Sequence, residues 1–281
     1  MQARNERSLR KPNNMKAMEL ITSLQNSRIK NIQKLSAKSR ERKEQGLFII
    51  EGARELSLAL SGEYALNSVF ICTELFEKTD YPEVLSAISP DILYEVSESV
   101  FQKIAYREGS DGLLALAKPK SHTLSDLKLK ENPFIIVLEA VEKPGNLGAI
   151  LRTADAAQAD AVIVCDPLTD IYNPNVIRSS VGCLFTVPVA VCTNVEALTY
   201  LQTRHIRSFA AELTAAQWYQ DTDFIASSAI IMGTEADGLT DFWLTHADQR
   251  IKIPMRGVID SLNVSVSTAI LTFEAMRQRG F

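Results

Sequence analysis

The chain reads as an α/β protein in two parts, the second built on a mostly parallel sheet with helices on both faces. Three observations predict this. Strand-like and helix-like stretches alternate from Leu47 to the C-terminus, the order a parallel sheet requires because each crossover needs a covering helix. The runs "PFIIVLEA", "DAVIVCD" and "SAIIMG" are apolar at nearly every position, the pattern of strands buried on both faces. Between the halves, 119–132 ("PKSHTLSDLKLKEN") is polar and lacks a sustained apolar period, so it reads as a linker. The 281 residues, 46% hydrophobic and 23% charged, suffice for one large domain or two ordinary ones.

The elements follow in order. "RIKNIQKLSAKSRERK", Arg28 to Lys43, sets Ile29, Ile32 and Leu35 at helical spacing with basic residues on the other faces, predicting one amphipathic helix. "LFIIEG" (Leu47–Gly52) is a strand, and "ARELSLALSG" is a helix stopped at Gly62. Then come the strand "NSVFIC", a polar helical segment, the strand "DILYEV", the helix "SESVFQKIA" capped by Ser97 or Ser99, and the strand "GLLALAKP" closed by Pro119. The second half adds "LFTVPVAVC", "IRSFAAEL" and "QRIKIPM" as further strands. A last helix is entered through Ser261 and Asn263, with Leu262, Val266, Ile270 and Phe273 on one apolar face.

Composition narrows the class. No apolar run approaches the roughly 20 residues that cross a bilayer, and the basic N-terminal stretch has no apolar core of a leader. A cytoplasmic protein is the expectation. Cys72, Cys165, Cys183 and Cys192 lie far apart, three of them in strand-like runs, without zinc or redox spacing. They read as reduced, packed thiols, and no metal site is expected. The net charge is −4 but unevenly spread: residues 1–43 hold twelve Lys/Arg against three acids, while the remainder carries −13. A basic segment on an acidic body suits one end meeting phosphates. Residues 1–17 read as a solvated tail, with Met15 and Met18 as alternative starts.

"EAVEKPGNLGAILRTADAA" (Glu139–Ala157) follows an apolar strand and turns through Gly-Asn-Leu-Gly into a helix. It matches neither G-x-G-x-x-G nor a P-loop, and alone it reads equally as a tight turn. Two later stretches share its character. "IIMGTEADGL" ends a buried strand in Gly233 and sets Glu235 where the chain leaves the sheet, and "IPMRGVIDSLNVSVSTAILTFEAM" passes from strand to loop to helix through Ser261 and Asn263. Each of those polar residues is also a good helix cap. Three polar, glycine-bearing strand ends in one parallel sheet point to a pocket at the carboxyl edge.

Together these stretches resemble the SpoU (TrmH-like) family of RNA ribose 2'-O-methyltransferases, of the SPOUT class, and cover most of 134–281. The first half resembles that family's small L30e-like substrate-binding domain through "SRIKNIQKL", "FIIEGAREL" and "REGSDGLLALAKP". Between the solvated tail at 1–17 and the C-terminus, and on either side of the linker at 119–132, the resemblance implies an L30e-like domain at 18–118 and a methyltransferase domain at 133–281. It further implies a trefoil knot, S-adenosylmethionine as cofactor, a homodimer, and methylation of a ribose 2'-hydroxyl. Ribosomal RNA (23S) leads as substrate; tRNA, or a non-catalytic RNA-binding module, are the alternatives. Carried onto this sequence, the catalytic set is Asn146, Arg152, Glu235, Ser261 and Asn263, and the cofactor contacts are Gly233, Ile253 and Leu262. Arg152 suits stabilisation of a developing alkoxide better than proton abstraction, because guanidinium stays protonated. Arg28, Lys30, Arg54 and Arg107 are the phosphate contacts expected in the first domain. His122, His205 and His246 receive no role.

Overall fold

The structure is a computed structural model that describes residues 18–107 and 109–280; the expected tail at 1–17 lies outside them. The first unit runs β1 (Glu19–Ile21), α1 (Ser27–Ala37), α2 (Ser39–Gln45), β2 (Phe48–Glu51), α3 (Ala53–Ser61), β3 (Leu66–Ile71), α4 (Thr73–Phe76), β4 (Leu93–Val96), α5 (Glu98–Ile104) and β5 (Leu113–Ala117). Its sheet has the order β1-β4-β3-β5-β2, parallel at β1/β4 and β4/β3 and antiparallel where β5 joins β3 and β2.

The second unit follows as β6 (Phe134–Glu139), α6 (Pro144–Ala156), β7 (Ala161–Cys165), α7 (Pro174–Ser180), β8 (Val189–Cys192), α8 (Asn194–Thr203), β9 (Arg207–Ala211), β10 (Gln217–Trp218), β11 (Ser228–Met232), α9 (Asp241–His246), β12 (Gln249–Lys252) and α10 (Val264–Arg279). The seven strands lie in the order β10-β12-β9-β11-β6-β7-β8, and every pairing is parallel. β6, β7 and β11 are buried at every position, which is why they read as unbroken apolar runs. Gly148 lets α6 lie close on α7, since a Cβ there would overlap Ser179 and the backbone of Ser180.

Four details depart from the sequence reading. The first amphipathic helix is two, broken at Lys38, whose backbone is extended. The break turns α2 back so that Arg42 is buried, donating to the Leu35 carbonyl at 2.6 Å and pairing with Asp170 at 2.7 Å. "LFTVPVAVC" is a strand only from Val189; Cys183–Phe185 form a 3-10 turn ahead of Pro188, which has no N–H for a ladder. Two short edge strands, β1 and β10, add three and two residues that no strand-length apolar run marks. Finally, α10 buries Thr268, Leu271, Thr272, Ala275 and Met276, whereas Val266 and Phe273 are 47% and 41% exposed. Its inner face is partly threonine, made compatible with burial at Thr268 by a bond to the Val264 carbonyl at 2.7 Å.

One apolar cluster runs through both units. At the junction Phe48 stacks on Tyr172 with centroids 4.2 Å apart, and Tyr64 meets Phe185 edge-on at 5.0 Å. Residues 119–132 are held against this junction. Lys120 N–H donates to the Tyr172 hydroxyl, His122 bridges that hydroxyl at 2.6 Å and the Val189 carbonyl at 3.0 Å, and Leu127 is buried.

Candidate active site

The carboxyl ends of β6, β11 and β12 deliver the polar stretches to one place. β6 ends at Glu139, and α6 begins at Pro144, a residue suited to a first helical turn because it has no N–H to satisfy. Asn146 therefore sits in that first turn. β11 ends at Met232, and its following loop closes by a bridge between Thr234 and Gly238, presenting Glu235 at the tip. Beyond β12 the chain loops to Asn263, the cap of α10.

These three side chains form one hydrogen-bonded group. Asn146 Nδ2 donates to Glu235 Oε1 at 2.8 Å, while Asn263 Nδ2 donates to the same carboxylate oxygen and lies 3.2 Å from Asn146 Oδ1. Asn263 Oδ1 meanwhile accepts from Ser265 N–H at 2.9 Å, so one amide both caps the helix and reaches the group. The capping reading of Asn263 therefore holds, and its other amide atom is left to join Asn146 and Glu235. For Ser261 the capping reading fails: its hydroxyl donates to Asp260 at 3.2 Å and lies outside the helix.

A cation unforeseen in the sequence completes the group. Lys143, immediately before α6, pairs through Nζ with Glu235 Oε2. This ammonium, followed by the Asn146 amide, holds the Glu235 carboxyl below the ordinary carboxylate range. Lys143 stands in plain view in "EKPGN", but its partner lies 92 residues further on, and no local pattern links them.

Glu235 also borders a cleft of about 390 Å³, together with Gly233, Ile253, Ser261 and Leu262. A Cβ on Gly233 would overlap the backbone of Gly238 and Leu239; the constraint there is the loop closing on itself. Glu139, buried at the end of β6, anchors the far end of that loop by accepting from Thr240 N–H at 2.8 Å and Thr240 Oγ1 at 2.6 Å, with Asn194 Nδ2 at 2.7 Å. Glu212 lines the cleft as well, held by Thr214. Neither glutamate was singled out in the sequence, where each reads as the polar end of an apolar strand.

The remaining candidates lie elsewhere. Arg152 is exposed on α6, and among the described residues no hydrogen bond or ion pair joins it to Asn146, Glu235 or Asn263. It stands with Arg54 near Cys183. Burial pushes that thiol up, Asp155 adds to the rise, and the two cations pull it back. Arg28 lies 4.2 Å over the Tyr94 ring, and Lys30 is exposed on α1. Arg107 is half-buried among Glu51, Glu55 and Asp111, each 3.7–3.8 Å away. Among the described residues no group of three or more His, Cys, Asp or Glu side chains could hold a metal ion, and no helix is long and apolar enough to cross a membrane.

Residues 133–273 match the SpoU rRNA Methylase family, so the match spans β6 into α10 and every strand end just described. The chain belongs to the SpoU rRNA methylase family. Residues 26–115 of this SpoU protein match a second description, the MRM3-like substrate binding domain. The 23S rRNA (guanosine(2553)-2'-O)-methyltransferase RlmP of Bacillus subtilis is 31% identical, over 91% of this chain and 98% of its own. The 23S rRNA (uridine(2479)-2'-O)-methyltransferase of Streptomyces viridochromogenes is 28% identical over 94% and 93%. Among solved structures, an RNA 2'-O ribose methyltransferase superposes with TM-score 0.82 at 38% identity, covering 92% of this chain and 99% of its own. An AdoMet-bound rRNA methyltransferase from Sinorhizobium meliloti gives 0.83 at 26%, covering 92% and 98%.

Proposed function

We propose that this SpoU protein methylates a ribose 2'-hydroxyl of 23S rRNA with S-adenosylmethionine. The observation that carries the reading is the meeting of Asn146, Glu235 and Asn263 at the border of a cleft of small-molecule size. The cleft suits the cofactor. Its volume falls within the range of ligand sites, Ile253 and Leu262 offer apolar surface to a purine ring, and the Gly233–Gly238 turn offers main chain instead of side chain. When bound, the cofactor supplies a methyl group on a sulfonium that leaves as a neutral thioether.

The protein's part is placement and charge. Asn146 and Asn263 fix Glu235 and orient the ribose; Ser261 lies at the nucleotide side of the cleft. Arg152 stabilises the emerging alkoxide or anchors a phosphate. Because Arg152 stands apart from the group within one chain, we assign it to the cleft of a second copy in a homodimer. The exposed Val266 side of α10, the helix packed on α6, is the surface we assign to that contact. The first unit holds structured RNA through Arg28, Lys30, Arg54 and Arg107, the last of which also faces Glu51, Glu55 and Asp111, and 119–132 connects the two domains. A trefoil knot in the second unit and a cytoplasmic location complete the proposal.

The test offers purified protein with methyl-labelled S-adenosylmethionine and total rRNA or total tRNA. Label in the ribose of 23S rRNA is expected. Label only in tRNA would move the substrate, and RNA binding without label would reduce the protein to a binding module.

A further inference from the structure

We propose that Lys143 is an exchangeable counter-ion: it holds the Glu235 carboxylate while the RNA is absent and passes to an RNA phosphate on docking, freeing Glu235 to take the ribose 2'-hydroxyl proton. The proposal rests on the methyltransferase reading above. Its footing is geometric. Glu235 Oε1 accepts from two amides anchored in helices, Asn146 in α6 and Asn263 at the cap of α10, so that oxygen is fixed in place. Its other oxygen is held by Lys143 alone among the described residues, and the Lys143 side chain is 65% exposed against 22% for Glu235. One partner of the pair is thus rigid and the other is a flexible ammonium at the protein surface, able to change partners at little cost. Asp237 and Asp260 line the same cleft and would repel phosphate without a nearby cation.

With Lys143 paired, the carboxylate is a weak base; with Lys143 drawn to phosphate it loses its strongest counter-charge and becomes a better one. Glu235 then takes the hydroxyl proton as the oxygen pair forms the new bond to carbon and the methyl–sulfur pair stays on sulfur. A cation and a carboxylate become two neutral groups, so charge and atoms balance. Lys143 acts through Glu235 and the RNA, and is a positioning residue.

The test compares wild type, Lys143→Gln and Lys143→Arg in three measurements: salt dependence of binding to a 23S rRNA fragment, the pH profile of single-turnover methylation, and calorimetric affinity for S-adenosylhomocysteine. For Lys143→Gln the salt slope should fall by about one phosphate contact; the acid limb should move to higher pH at subsaturating RNA, where the free protein with its Lys143–Glu235 pair is read, and stay in place at saturating RNA, where Lys143 has already left Glu235. Lys143→Arg should restore both, and product affinity should stay at the wild-type value in each variant. An unchanged salt slope, an acid limb that stays in place at subsaturating RNA, or one that moves at saturating RNA overturns the exchange; so does a loss of product affinity, which would make Lys143 part of the cofactor site. If wild type binds the fragment but transfers no methyl group, the methyltransferase reading fails instead, and the salt slopes still report whether Lys143 meets phosphate.

Discussion

At the residue scale, Asn263 shows how two readings of one side chain can be separated. Asn263→Asp keeps an oxygen that caps α10 but removes both amide protons and sets a second carboxylate against Glu235. Methyl transfer should fall sharply while thermal stability changes little; Asn263→Ala should lose activity and also the cap, worth about 1 kcal/mol. Thermal unfolding beside a methylation assay checks both. Arg152→Ala should cut turnover by about 3 to 4 kcal/mol of barrier if its charge meets the alkoxide, with product affinity retained by calorimetry. Near wild-type single-turnover rates would end that role. The polar stretches that bring Asn146, Glu235 and Asn263 together were legible, Glu235 as the turn after an apolar strand, Asn146 and Asn263 as helix entrances; Ser261 lines the cleft outside their hydrogen-bonded group. Lys143 was not legible, since its meaning depends on a carboxylate brought in by another strand. Gly233→Val should disturb the 234–238 turn, because a Cβ there meets the backbone of Gly238 and Leu239, so its effect falls on folding as well as on the cofactor.

At the element scale, strand runs were legible where burial on both faces leaves no alternation, as at Phe134–Leu138. Helix faces were less so. In α10 the bulky residues Val266 and Phe273 suggested the inner stripe, yet the helix packs through Thr268, Leu271, Thr272 and Ala275, because a close approach to α6 and β11 favours small side chains. Leu271→Ala should then cost about 2 to 5 kcal/mol, whereas Val266→Ala should be nearly neutral for the monomer; chemical denaturation of both variants measures the contrast. The break at Lys38 was invisible to periodicity because its cause is distant: Arg42 turns inward to Asp170, at the start of the α7 region. Asp170→Asn strands that guanidinium in a buried place and should cost about 3 to 5 kcal/mol, read as a lowered midpoint in the same titrations.

At the scale of the whole molecule, the two units are joined by a buried junction in which His122 has a role the sequence did not suggest. Burial depresses the His122 imidazole below its ordinary value, against the pull of the Val189 carbonyl and Asp126, with Lys120 adding to the depression. The unfolded chain therefore takes up the proton first. Stability from this group is complete above about pH 6.5, the ordinary histidine value, and is lost as pH falls toward the lower folded value. Thermal unfolding between pH 8 and pH 5 should show a steeper acid decline for wild type than for His122→Gln; parallel curves would remove His122 from the balance. The alternation of strand and helix made the two-part α/β plan legible, but nothing in a string of residues tells how tightly 119–132 is fastened, because its partners, Tyr172 and Val189, come from the later unit.

The strand order also governs when the second sheet can form. β6, its first strand, lies inside the sheet between β7 and β11. During synthesis β7 becomes available soon after β6, but the other edge of β6 waits until residues 228–232 have emerged. For that interval a strand apolar on both faces exposes an unpaired row of amides and carbonyls, an invitation to other nascent chains. A chain arrested near residue 227 should aggregate where one arrested beyond α10 should not, and pairings so distant in sequence should make refolding slow. A substitution that delays β11 would thus lower the yield of soluble protein without altering any contact of the finished fold.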